Sequence, residues 1–448
     1  MTEKLFSEFK PSNLAEWKSQ LIKDLKGEDF ETLRWHNDNG FIVEPFYTAE
    51  HLSQSYEPAF THCDWHIGVR TSGDMENINS EWLKALGHGA EAITVNAFQF
   101  GHFGEKILNG IRLDFIHPSF KASLDDLPAL AAYLEKNYPQ PLSNLAVNCG
   151  KFLPSYYQNW FDAVSNHACF SQAKLISSDT TLYNNLNCLP YYEVALAIAE
   201  LVDRIEGLKN KKLPTSDFVV EMGVGTDYFV EMAKFRALRR LWRLIRAEYG
   251  IKNNLYLKVE STPSNKSISD RYNNLLRTTI EAMAAVAGGC NELVLIENDF
   301  LFPEPSPSSK RLAINQQHIL KYESYFNKMA DVGCGSYYIE TLTDNIAERA
   351  LETLKEIEKA GGYLTCHRNG TIWSEVARQS EQRARRFREG KEITIGVNKF
   401  HNEKENLNLS QGYLEDLQHD NRADRSGFES YVLEYELTKN LIHHAPNV

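Results

Sequence analysis

The chain has 448 residues, 42% of them hydrophobic and 24% charged, with a net charge of −12. That length and balance supply a large core without disulfide or metal staples, and they disfavour a general nucleic-acid binder, which carries a basic surplus. Seven scattered cysteines without Cys-x-x-Cys spacing, and no apolar run of signal-peptide or membrane-span length, are expected of a cytoplasmic protein with reduced thiols.

Residues 1–60 read as an arm. An amphipathic helix opens at Asn13 and runs to about Lys26, with Leu14, Trp17, Leu21 and Leu25 at helical spacing, followed by the short extended piece Gly40–Pro45. Residues 61–300 then alternate. Short apolar or β-branched runs fall at 66–70, 92–96, 111–116, 145–148, 174–177, 218–221, 255–259 and 292–296. Helical patterns separate most of them, clearest at 80–87, 124–136, 191–206, 228–249 and 270–287. Eight strands in parallel βαβ order predict an α/β chain with a (β/α)8 barrel of the TIM type. An open doubly wound sheet is the competing architecture, weakened because no G-x-G-x-x-G follows the first strand. Residues 301–402 read as a helical extension, with long charged patterns at 316–331, 344–360 and 374–389. Residues 403–448 read as a polar tail.

Several clusters invite chemistry. In a barrel, pocket residues sit at the C-terminal strand ends. Lys258, Glu260 and Ser261 close the seventh predicted strand, and Asn291, Glu292, Glu297, Asn298 and Asp299 are assigned to the end of the eighth. Helix caps and loop hydrogen bonds are the plainer use for these side chains. The helix from Tyr228 carries Phe229, Met232, Phe235, Leu238, Leu241, Trp242 and Ile245 on one broad face. Lys234, Arg236, Arg239, Arg240, Arg243 and Arg246 fall mostly on the other, which is read as a solvated basic face. Arg378, Arg383, Arg385, Arg386 and Arg388 are read as an exposed face too. Asp64-Trp-His66-Ile-Gly68 approximates the Asp-x-His-x-x-Gly of cobalt-ligating corrinoid domains. The Gly comes one residue early and the segment is the first barrel strand, so no cobalt role is assigned to His66. No Walker A loop, His-Glu-x-x-His, Gly-x-Ser-x-Gly or EF-hand loop is present.

At Gly225-Thr-Asp-Tyr-Phe-Val-Glu-Met-Ala-Lys-Phe-Arg-Ala-Leu-Arg-Arg-Leu-Trp the chain resembles the adenosylcobalamin-dependent methylmalonyl-CoA mutase family. Agreement continues in order through Tyr272-Asn-Asn, Glu281-Ala-Met-Ala-Ala, Gly288-Gly289, Gly335-Ser-Tyr-Tyr-Ile-Glu, Gly361-Gly362 and Ile395-Gly-Val-Asn-Lys-Phe. It spans roughly residues 20–402. The resemblance implies a barrel, and it also marks departures. Family catalytic chains place Gly-Tyr-His after the fifth strand, its His contacting the substrate thioester carbonyl. Here that triplet is Thr180-Thr181-Leu182, and Leu182 neither donates a hydrogen bond nor moves a proton. The family's carboxylate-binding Arg falls near Tyr157 and an active-site Tyr near Phe60. The Arg and Ser that contact CoA or substrate on the seventh strand fall on Lys258 and Ser261. No cobalamin domain is expected after residue 402.

The resemblance therefore implies the small (beta) subunit of a heterodimeric mutase, non-catalytic and binding no cofactor itself. Adenosylcobalamin and the conversion of methylmalonyl-CoA to succinyl-CoA would belong to the large (alpha) subunit. Phe60, Tyr157 and Leu182 would be degenerate positions. Lys258, Glu260, Ser261 and Asn291 would line a vestigial pocket without metal. The isolated chain is expected to be inactive, and to pair with itself if its interface is apolar. Neither a nucleic acid nor a membrane is an expected partner. The alternative is a catalytic barrel that uses a separately encoded cobalamin subunit.

Overall fold

The computed structural model describes residues 8–400, apart from 11, 37–39, 53–55, 71–76, 97–103, 150–153, 268–269, 303–305 and 307. The expected polar tail, 403–448, lies outside the described residues. Helix α1, Leu14–Asp24, starts where predicted because Asn13 and Glu16 form a reciprocal capping box. None of its residues is buried; Trp17 rests on Phe46 with ring centroids 5.0 Å apart. A two-residue antiparallel pair follows, β1 (Trp35–His36) with β2 (Ile42–Val43).

The body is a barrel. Strands β3 (His66–Val69), β4 (Ala92–Asn96), β5 (His117–Lys121), β6 (Ala146–Asn148), β7 (Ser177–Asp179), β8 (Phe218–Val224), β9 (Leu255–Ser261) and β10 (Glu292–Val294) pair in the order β6-β5-β4-β3-β10-β9-β8-β7. All of these pairings are parallel, and β3 lies beside β10, so the first barrel strand neighbours the last. The remaining seam is bridged by Ala146 and Lys174. This is a nearly closed (β/α)8 barrel of the TIM type. Helices α2 (Ile78–Gly87), α3 (Leu127–Asn137), α4 (Pro154–Ser165), α5 (Thr181–Asn185), α6 (Pro190–Gly207), α7 (Tyr228–Glu248), α8 (Arg271–Ala287) and α9 (Ser309–His318) accompany the strands. Then come α10 (Tyr337–Lys359), α11 (Tyr363–Arg368) and α12 (Thr371–Arg388).

Three expectations are corrected. The third barrel strand is 117–121, not 111–116; Leu113–Phe115 is a 3-10 turn. Pro118 disguises the true strand, whose Phe120 is fully buried. The pattern at 316–331 is not one helix: α9 gives way to a π turn at Ile319–Glu323 and a 3-10 turn at Phe326–Lys328. Third, the basic side of α7 is not solvated. Lys234, Arg236 and Arg239 are buried, while the apolar Phe229 is exposed.

Those buried cations fix helix to helix. Arg236 donates to Asp331 at 2.7 Å, to Glu340 at 2.8 Å and to Thr343 at 2.8 Å, and Arg240 reaches Glu340 and Asp344. The extension helix α10 is thereby clamped on α7, and Ala59 N–H joins the same Asp331 at 2.6 Å. Lys234 donates to Glu193 of α6 at 2.9 Å, and Glu193 also accepts Gly223 N–H of β8 at 2.9 Å. Removing one member of such a pair leaves a buried unpaired charge, at a cost of about 3–5 kcal/mol.

Candidate functional site

Strand periodicity sends every second side chain to the barrel axis. Barrels of this type usually fill that axis with Val, Ile and Leu. This one fills it with charge. On β8, Phe218, Val220, Met222 and Val224 pack outward in the core, and Glu221 points inward, 2% exposed. On β9 the inward residues are Tyr256, Lys258 and Glu260. Lys258 is 2% exposed; its ammonium donates to Thr94 at 2.8 Å and lies 3.3 Å from both Glu221 and Glu260 and 3.9 Å from Glu292. Asn148 donates to Glu221 at 3.0 Å. At the C-terminal end, Lys121 of β5 donates to Asp179 of β7 at 3.0 Å and lies 3.7 Å from Glu221.

The electrostatics follow from this interlock. Burial alone would depress the Lys258 ammonium, but Glu221, then Glu260 and Glu292, raise it above its ordinary value. Lys121 is raised by Asp179 and then by Glu221. Burial pushes the Asp179 carboxyl up, yet Lys121 and the Thr181 hydroxyl outweigh it and hold Asp179 at about 2. Glu292, buried and close to Glu221, is pushed up to about 7. Each charge inside this group is answered by another inside it.

The N-terminal mouth is different. His66 and His117, the first residues of β3 and β5, stack with centroids 3.4 Å apart, and Tyr256 stacks on His66 at 6.3 Å. Tyr256 O–H donates to Glu292 at 3.2 Å. Burial lowers both histidines to about 4, reinforced by Lys321 for His66 and by His66 for His117. A small cleft here is lined by His117, Asn144, Lys174, Tyr256, Lys258 and Glu292.

Of the strand-end residues singled out in the sequence, the structure gathers Lys258, Glu260 and Glu292 on the barrel axis. Ser261 faces away from the axis and accepts Ile296 N–H at 2.6 Å. Asn291 precedes β10, at the N-terminal end of the barrel, where its carboxamide oxygen accepts Leu257 N–H at 2.8 Å and Arg239 at 3.0 Å. Glu292 opens that strand, so neither residue lies at its C-terminal end. Asn298 and Asp299 are loop fasteners, bonding Arg271 O and Ser306 N–H.

The three positions read as degenerate are separated. Leu182 lies in α5, just after β7, partly buried against the core. Tyr157 is fully buried in α4, between Trp160 at 5.9 Å and the Arg204 guanidinium at 4.8 Å. Phe60 is buried near the N-terminal end, against Gly289, whose positive φ of 83° and lack of a Cβ let the ring lie there.

Glu221, Lys121 and Asp179 did not stand out in the sequence. Lys121 and Asp179 close strands whose bounds were misplaced. Glu221 was visible as one carboxylate inside an otherwise apolar strand. The segment at His66 does not fit a corrinoid cobalt site. Asp64 bonds Trp65 N–H at 2.9 Å and pairs with Lys321 at 3.0 Å instead of orienting the ring, which lies against His117. Among the described residues no helix is long and apolar enough to cross a membrane.

Comparison with known proteins adds to this geometry. The family model for methylmalonyl-CoA mutase matches residues 161–425, more than half of the chain. The small subunit of methylmalonyl-CoA mutase from Porphyromonas gingivalis is 28% identical over 92% of this chain and 74% of its own length. The human mitochondrial methylmalonyl-CoA mutase is 39% identical over 87% of this chain. The Cereibacter sphaeroides methylmalonyl-CoA mutase is 25% identical over 88% of it. The matched region spans 61% of the human protein and 65% of the C. sphaeroides protein. With more than half of its length matched by the family model, the chain belongs to the methylmalonyl-CoA mutase family.

Proposed function

We propose that this chain is the small, non-catalytic subunit of a heterodimeric, cytoplasmic methylmalonyl-CoA mutase. In this reading the large subunit binds adenosylcobalamin and methylmalonyl-CoA and carries out the isomerisation to succinyl-CoA. The small subunit supplies structural support through its barrel and its arm. The observation that carries the reading is the charged barrel axis. Lys258, Glu221, Lys121 and Asp179 satisfy one another across the site where a barrel enzyme keeps its pocket. A substrate entering there would have to break the buried Lys258–Glu221 pair beneath the partly exposed Lys121–Asp179 pair.

Two further facts support it. The resemblance places the family's histidine position at Leu182, an aliphatic side chain unable to hold a proton at a reacting carbonyl. A protein described as a small subunit matches nearly the whole chain. The arm fits the same role: α1 buries none of its residues, and Ile22, Trp35, Ile42 and Phe46 are exposed around it.

The test is purification of the tagged chain from its own host, followed by a mutase assay of the eluate with adenosylcobalamin. A longer mutase chain at one-to-one stoichiometry, active only in the complex, is the expected result. A short cobalamin-domain partner that makes this barrel active would overturn the proposal.

A further inference from the structure

Helix α8 is turned inside out. A barrel helix normally buries an apolar face on the strands and shows charge to water. In α8 Asn274, Arg277 and Glu281 go inward, alongside Ala282, Ala284, Ala285 and Val286. Glu281 is fully buried and pairs with Lys266 at 2.7 Å. Arg277 and Asn274 are buried and bond each other at 3.1 Å. Outward, at successive turns, stand Tyr272, Leu276 and Ile280, 72%, 62% and 40% exposed. Half-buried Asn273, Leu275, Thr279 and Met283 flank them, and the charges of Asp270 and Arg271 lie at the N-terminal end of the helix.

The neighbouring segment repeats the inversion. Gln316 of α9 bonds Leu275 O and the hydroxyls of Thr278 and Thr279, fixing that helix beside α8. Downstream, Lys321 and Asp331 are buried anchors, the first on Trp65 O at 2.6 Å, the second on Arg236. Between and beside these anchors Ile319, Tyr322, Tyr325, Met329 and Val332 face outward. Tyr325 and Asp331 hold positive φ, 56° and 41°, a conformation that costs energy in non-glycine residues and that the anchors sustain. Isolated exposed apolar side chains are ordinary on a protein surface. Eight on two successive elements, with Arg277, Glu281, Lys321 and Asp331 drawn inside and only Glu323 and Lys328 exposed among those of 319–332, are not. Their exposed surface is roughly 1,000 Å2, against about 800 Å2 given up per partner in a standard interface.

We infer that the outer face of α8 and the segment 319–332 are the seat of the large mutase subunit, which meets them with a mainly apolar surface. This rests on the subunit reading above, and it assigns the interface that reading leaves open.

The test uses the full chain and the longer mutase chain purified with it. Leu276→Asp combined with Ile280→Lys should leave melting of the isolated chain unchanged and weaken the complex on the order of 100-fold. Hydroxyl-radical footprinting of the unaltered complex gives a second readout that no variant can spoil by misfolding. Oxidation of Tyr272, Tyr322, Tyr325 and Met329 should drop several-fold on assembly. Equal affinity of variant and parent, with unchanged footprints, would overturn the assigned face and leave the subunit reading standing. Failure of the parent chain itself to bind would overturn both. Arg277 also bonds Ile395 O, so residue 395 lies beside this helix. Footprints already low in the free chain, and raised by removing residues 401–448, would make that tail the occupant and overturn the proposal. Protection that appears only as the isolated chain self-associates would assign the face to a second copy instead, with the same consequence.

Discussion

The barrel axis and the outer face of α8 break the same rule in opposite directions. The axis carries charge where barrels carry branched aliphatics, and α8 carries aliphatics and tyrosine where barrel helices carry charge. The first inversion is settled within the molecule, because each ammonium on the axis has carboxylates at 3.0–3.9 Å. The second is not settled: Tyr272, Leu276 and Ile280 meet water. Satisfied charge inside and unsatisfied apolar surface outside describe a chain whose remaining binding capacity faces outward. That pattern agrees with the supporting-subunit role proposed above.

Breaking the interior side of this contrast should have the largest effect. Lys258→Ala removes the cation shared by Glu221, Glu260 and Glu292, and should cost about 3–5 kcal/mol of stability, read as a lower melting temperature and denaturation midpoint. Lys258→Met with Glu221→Leu removes charge of both signs and should recover most of that loss. Equal destabilisation in the single and double variants would show that packing, not charge, matters there.

The barrel mouth sharpens the contrast through pH. His66 and His117 sit near 4 in the folded chain against an ordinary 6.5. The unfolded chain therefore binds more protons between these values, and stability is lost as pH falls from 6.5 towards 4. Glu292, at about 7 against 4.5, works the other way, its contribution lost as pH rises from 4.5 to 7. Two histidines oppose one carboxyl, so the three groups together should lower stability from pH 6.5 down to 4.5. Thermal melts across this range should show that acid limb, and His117→Gln should flatten it. An unchanged limb would remove the stacked pair from the account.

The smallest stability effects belong outside. Leu276→Ala and Trp17→Ala should each move the isolated chain by less than about 0.5 kcal/mol, since surface substitutions rarely do more. Leu182→His should give no turnover in the isolated chain supplied with adenosylcobalamin and methylmalonyl-CoA. Measurable turnover would mean that one side chain, not the filled axis, silences the barrel.

Much of the fold was legible because apolar period and capping agree locally, as at Asn13–Glu16 and in the alternation from His66 to Val294. What failed did so for physical reasons. Pro118 and the polar neighbours of Phe120 hid a buried strand beneath a more apolar 3-10 turn. The cations of α7 read as solvated because Asp331 and Glu340, which bury them, lie about a hundred residues downstream. The site was less legible still. Lys258 and Glu260 could be placed from strand ends, but Lys121 and Asp179 become partners only when β5 and β7 close on either side of β6. The inversion of α8 was hidden because Glu281 and Arg277 look like surface residues until Lys266 and Asn274 are seen beside them.

The most direct measurement of the central claim is the stoichiometry of methylmalonyl-CoA binding, by calorimetry on the isolated chain and on the purified complex. The account predicts no binding to the isolated chain and one site per large–small pair. Two sites per pair, or saturable binding to the isolated chain, would contradict it.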